Sequence, residues 1–171
     1  MSNTPWRRHK VTAYEGGIST PLIARWPAGI PVKNDGRLVR EPAHVIDLLP
    51  TFLELAGAKY PGKGAVKLEG ENILPLLQGG QGNTNRTLCW EHEGNRAIRK
   101  GNWKLVALGP GNKWELYDLA TNRIEPRNLA DEHPEMVKEL SGEYDRWAAR
   151  CGVIDYPQLL GRRAASDTAK E

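Results

Sequence analysis

The residues able to do chemistry fall in two short stretches. In the first, Lys10 follows Arg7 and Arg8 and precedes Tyr14-Glu15-Gly16-Gly17. A fixed ammonium donates charge-assisted hydrogen bonds to the oxygens of an anion, whereas a lysine in a basic run is ordinarily a solvated cation. Both readings of Lys10 stand at this level. The paired glycines let the backbone turn sharply and lie close to a neighbour. In the second stretch, Cys89-Trp90-Glu91-His92-Glu93-Gly94-Asn95-Arg96, several polar groups gather at a strand end beside a turn. His92 there reads as a half-buried strand histidine with a backbone partner. Glu91 and Glu93 form a candidate carboxylate pair for glycoside chemistry. At i and i+2 on one strand they share a face, and solvent-facing carboxylates are the plainer reading.

Other chemistries find no support. There is no Gly-x-Ser-x-Gly elbow, no phosphate-cradling glycine loop and no His-Glu-x-x-His. The four histidines, His9, His44, His92 and His133, lie far apart; His44 and His133 stand beside expected helix starts and read as structural or exposed. The two cysteines, Cys89 and Cys151, lack zinc-site spacing, and either a disulfide or two free thiols fits them. A net charge of +3 without a basic stripe interleaved with aromatics does not point to nucleic acid. No apolar run approaches the roughly 18 residues of a membrane span, and Met1-Ser2-Asn3-Thr4 does not read as a signal peptide.

The elements that must position these groups are legible from turn residues and periodicity. Residues 1–17 read as loop, and Leu22–Trp26 as a strand entered at Pro21. Leu49, Phe52, Leu53 and Ala56 share one helical face, so a short helix over 48–56 follows, with Asp47 at its start and Gly57 at its stop. Ile73–Leu77 gives at most one helical turn. From residue 86 the pattern changes to short runs, 87–93, 95–100, 103–108 and 114–118, separated by turn residues. These predict a four-stranded antiparallel sheet. Pro134 opens a helix whose apolar stripe is Val137, Leu140, Tyr144, Trp147, Ala148 and Cys151. That helix should lie across the sheet, and the last eleven residues should fray. The class is α+β, and 171 residues suffice for one domain with a real core.

The stretch from Lys10 through Tyr14-Glu15-Gly16-Gly17 to the Pro21-containing run ending in Trp26-Pro27 resembles the sulfatases of the alkaline-phosphatase-like superfamily. The resemblance continues through Ile46-Asp47-Leu48-Leu49-Pro50-Thr51, Leu68-Glu69-Gly70, Arg96-Ala97-Ile98-Arg99 and Trp103-Lys104-Leu105. It closes with Glu115-Leu116-Tyr117-Asp118-Leu119 and Asn128-Leu129-Ala130, covering about residues 3–153. It implies the C-terminal part of an alkaline-phosphatase-like α/β fold: residues 1–80 as the tail end of the large domain and 81–171 as a C-terminal subdomain of sheet and helix. It assigns Lys10 to the sulfate group of the substrate, a sugar or aryl sulfate ester. A fixed donor there stabilises charge on the sulfate oxygens. The resemblance also sets the C-terminal sheet against the pocket, which implies His92 or Asn95 as a contact to the sugar or aryl portion of the substrate, beside the structural reading of His92.

The same resemblance implies calcium and a formylglycine nucleophile for the complete enzyme, and neither in this chain. Formylglycine forms within Cys/Ser-x-Pro/Ala-x-Arg, whereas Cys89 is followed by Trp90-Glu91-His92-Glu93 and Cys151 by Gly152-Val153-Ile154-Asp155. The family's metal ligands would precede residue 1, so the N-terminal portion of the same protein is the implied partner. A periplasmic or secreted location is also implied. Two alternatives remain open: a non-catalytic fragment or interaction module, and a phosphate-ester or phosphonate hydrolase of the same superfamily.

Overall fold

Turn residues divide the stretch from Thr87 to Asp118 into four runs, and each is a strand in the computed structural model, which describes residues 4–31, 33, 36–62 and 64–168. The strands are β1 (Thr87–His92), β2 (Asn95–Lys100), β3 (Trp103–Ala107) and β4 (Glu115–Asp118). They pair antiparallel in the order β1-β2-β3-β4. Glu93 and Gly94, both at positive φ, form a two-residue hairpin; Gly101 at φ +58° opens the next one.

The chain divides into two compact units, one of residues 1–21 with 85–171 and the other of residues 22–84. The first 21 residues group with the sheet. The reason is burial: Tyr14 and Glu15 are packed into one face of that sheet.

Register sets the two faces. Cys89, Ile98, Leu105 and Leu116 stand opposite one another across the strands and meet α4 (Pro134–Cys151) through Leu140 and Tyr144. Ala97, Val106 and Tyr117 point the other way and pack with Ala13, Tyr14 and Leu119. One sheet thus separates a helix from the N-terminal segment. Cys151 does not join the buried stripe of α4. It lies one turn beyond Ala148, the last stripe residue packed on the core, and is an exposed free thiol.

Three other expectations, about secondary structure, are corrected. Glu15–Ile18 is a single helical turn, α1, rather than loop. Residues 156–168 form a helix, α5 (Tyr156–Thr168), where fraying was expected from 161 onward; its run of Leu, Arg and Ala residues has high helical propensity. Leu22–Trp26 is not a strand. A strand needs a ladder of hydrogen bonds to a neighbour, none of the four strands pairs with it, and Leu22 and Ile23 stand 57% and 89% exposed.

In the second unit, α2 (Leu48–Ala56) ends at Gly57 in the left-handed conformation, and α3 (Leu74–Leu77) is one turn. The buried Asp47 carboxylate accepts from the backbone N–H of His44 at 2.6 Å and of Glu71 at 2.9 Å. His44 reciprocates, its Nδ1 accepting from Ile46 N–H at 3.3 Å, so the pair forms a capping box. Thr51 Oγ1 donates to Asp47 O and accepts from Ile73 N–H, tying the loop before α3 to α2. Leu49, Phe52 and Leu55 on α2 remain exposed.

Candidate functional site

Lys10 sits on an exposed turn, and its neighbours Arg8 (φ +67°) and Val11 (φ +86°) adopt left-handed backbone conformations that ordinary residues rarely take. For a β-branched residue such as Val11 this is strain, which persists only where the surroundings impose it. The surroundings are the glycine pair. A Cβ on Gly16 would lie 2.3 Å from Arg7 O, and one on Gly17 would lie 1.9 Å from Thr12 O. Gly16 N–H donates to Arg7 O at 2.9 Å, and Thr12 Oγ1 donates to His9 O at 2.8 Å. The glycines therefore let α1 press directly on the backbone of the lysine loop.

Beneath the loop lies a buried ion network. Lys104 Nζ, fully buried on β3, is 3.0 Å from Glu15 Oε1 and 2.7 Å from Glu125 Oε1. Arg123 reaches Glu15 Oε2 at 2.9 Å and donates to Ser19 Oγ at 2.8 Å. Glu125 Oε2 accepts from the Glu15 backbone N–H at 2.9 Å. Two carboxylates thus face two cations, which is how buried charge is tolerated. Burial raises the Glu15 carboxyl, but Lys104 and Arg123 outweigh it and hold it below the usual carboxylate range. Burial prevails at Glu125, which faces Lys104 and the like charge of Glu15, and its carboxyl is raised.

Tyr14 completes the anchor. Its ring is 1% exposed and meets Tyr117 edge-on at 6.4 Å, with the Arg7 guanidinium 5.0 Å above it. Arg7 donates to Tyr117 Oη at 2.6 Å and to Glu125 O at 3.1 Å, and the Tyr117 hydroxyl donates to the Glu115 carboxylate. Burial, reinforced by Glu115, pushes the Tyr14 phenol up to about 12.

The second stretch is divided in role. Asn95 is buried and both ends of its amide are used: Nδ2 donates to His92 O at 3.0 Å, and Oδ1 accepts from Gly109 N–H at 3.0 Å. It braces two turns. His92 is exposed and lines a shallow cavity of about 220 Å³ with Glu91, Glu93, Ile154, Tyr156 and Leu159. The Glu91 carboxylate accepts from Gly94 N–H at 2.8 Å, a hairpin contact. Arg123 and Glu125 carry no sequence motif, and the block Trp103-Lys104-Leu105 assigns Lys104 no role. The one available signal is Lys104, a charge inside the strand Trp103-Lys104-Leu105-Val106-Ala107.

Among the described residues, no group of three or more His, Cys, Asp or Glu side chains is placed to hold a metal ion. The described residues thus offer no cluster of carboxylates for calcium. No helix among them is long and apolar enough to cross a membrane.

Residues 6–147 match the family model described as N-sulphoglucosamine sulphohydrolase, C-terminal. An uncharacterised sulfatase of Schizosaccharomyces pombe is 36% identical over 91% of this chain and 29% of its own length. An N-acetylgalactosamine-6-O-sulfatase of Bacteroides thetaiotaomicron is 31% identical over 80% of this chain and 28% of its own length. A solved structure from work on the metabolism of multiple glycosaminoglycans by Bacteroides thetaiotaomicron superposes with a TM-score of 0.67 at 27% identity. That match covers 84% of this chain and 32% of the other. The chain thus spans about a third or less of the relatives it matches.

Proposed function

This chain belongs to the sulfatase family, in its C-terminal region, and from that premise we propose that it forms one wall of a sulfate-ester hydrolysis site in which Lys10 binds the sulfate. The substrate is a sugar or aryl sulfate ester, cleaved by water to the alcohol and inorganic sulfate. In the complete enzyme, formylglycine would supply the nucleophile and calcium the Lewis acid. The role of this chain is narrower. The Lys10 ammonium donates charge-assisted hydrogen bonds to a sulfate oxygen, and those bonds strengthen as the oxygens gain charge.

One observation carries this reading. Lys10 is an exposed cation with no hydrogen-bond or ion-pair partner among the described residues, on a loop whose backbone is strained and held from below. A solvated lysine needs no such support. His92, exposed and lining its cavity, is proposed as a contact to the non-sulfated part of the substrate. Asn95 supports it indirectly, by fixing the hairpin.

The test uses the full-length protein. Lys10→Ala should lower turnover by roughly a hundred- to a thousandfold, as when one preorganised oxyanion donor is lost. Lys10→Arg should rescue only partly, because the planar guanidinium donates along fixed directions. A well-folded Lys10→Ala enzyme with unchanged kcat/KM would remove the role.

A further inference from the structure

Two residues bracket the lysine loop, and one glutamate holds both. Arg7 lies three positions before Lys10 and Glu15 five positions after it. Glu125 accepts from the Arg7 guanidinium through its backbone carbonyl at 3.1 Å and from the Glu15 backbone N–H through its carboxylate at 2.9 Å. Its other carboxylate oxygen lies 2.7 Å from Lys104 Nζ, which anchors it to the centre of the sheet. Glu125 is fully buried and itself adopts φ +56°, so its own backbone is turned to present both acceptors.

We propose that Glu125 is a positioning residue for Lys10, fixing both ends of the loop that carries the lysine. The proposal rests on the sulfate-binding reading of Lys10. Its physical basis is that buried ion pairs contribute little net stability compared with apolar packing of the same volume, whereas they fix geometry tightly. The strained backbone at Arg8 and Val11 would relax if either end of the loop came free. A relaxed loop would still carry the lysine but would no longer aim it.

The first experiment uses the chain itself. Trypsin cleavage after Lys10 should be at least tenfold faster in Glu125→Ala than in the parent, while the cooperative thermal transition of the sheet persists. Unchanged cleavage overturns the anchoring. The second uses the full-length enzyme and a double-mutant cycle. Glu125→Ala should lower kcat/KM at least tenfold when Lys10 is present and less than twofold in the Lys10→Ala background. Losses that multiply would mean that Glu125 acts on general stability, and the proposal fails. If Glu125→Ala does not fold, Glu125→Gln takes its place. It keeps an acceptor for Glu15 N–H but loses the charge facing Lys104, and its smaller loss should likewise vanish without Lys10. If Lys10→Ala alone costs nothing, the sulfate-binding reading fails, and the cleavage result still decides whether Glu125 anchors the loop.

Discussion

Glu15 and Lys104 are separated by 89 positions in the sequence, yet their side chains meet at 3.0 Å with almost no exposure to water. The contact joins the glycine motif to the middle of β3. It explains why the N-terminal segment belongs to the same compact unit as the sheet.

Acid should loosen this joint. The folded Glu15 carboxyl is held below its unfolded value, so the stabilisation is present above that value, near 4.5, and is lost as pH falls through the folded one. Glu125 works with the opposite sign, since its raised carboxyl favours the folded state on the acid side. Glu15→Gln should therefore flatten the acid limb of a stability profile measured by urea unfolding between pH 7 and pH 3. An acid limb as steep as the parent's would show that Glu15 does not carry it.

The helix on the opposite face is expected to dock firmly. Leu140 is fully buried against Ile98, Leu105 and Leu116, and Leu140→Ala should cost about 2–5 kcal/mol. Trp147 is only half-buried, so Trp147→Ala should fall below the roughly 3–5 kcal/mol of a fully buried tryptophan. Equilibrium unfolding followed by circular dichroism measures both; a Leu140→Ala loss under about 1 kcal/mol contradicts the packing described.

The second unit should be sticky. Leu49, Phe52 and Leu55 along α2 are 47%, 58% and 43% exposed, and contiguous apolar patches beyond about 300–600 Å² mark interfaces. The isolated chain should bind a hydrophobic dye and self-associate, and Phe52→Glu should reduce both. A monodisperse monomer that ignores the dye would count against this.

Incubated alone with an aryl sulfate and calcium, the chain should release no sulfate above the uncatalysed rate. It contains no Cys/Ser-x-Pro/Ala-x-Arg sequence from which the family's nucleophile is made. Measurable turnover would require a nucleophile among residues described here as structural.

The strands, α2 and α4 were legible because local rules govern them. Gly94 and Gly101-Asn102 punctuate hairpins, and the spacing of Leu140 and Tyr144 requires a helical stripe; Glu93, read as part of the first strand, belongs to the turn. The sulfatase resemblance was legible from ordered blocks and agrees with the family match. What sequence could not supply was pairing at a distance. Nothing local to Glu125 says that its carboxylate will meet a backbone amide 110 residues earlier. Leu22–Trp26 failed for a related reason: an apolar run is a strand only where a neighbour accepts its hydrogen bonds. Asn95 and His92 looked alike in sequence, yet the fold uses the amide of one internally and leaves the imidazole of the other open.

The clamp on the lysine loop also sets an order of events during synthesis. Glu15 leaves the ribosome 110 residues ahead of Glu125. At about 5–20 residues per second, its backbone N–H waits roughly 5–20 seconds, hydrated, before the Glu125 carboxylate exists. The apolar residues of the intervening unit emerge during the same interval. A nascent chain stalled before residue 125 would carry the lysine loop without the carboxylate that holds Glu15 beside it.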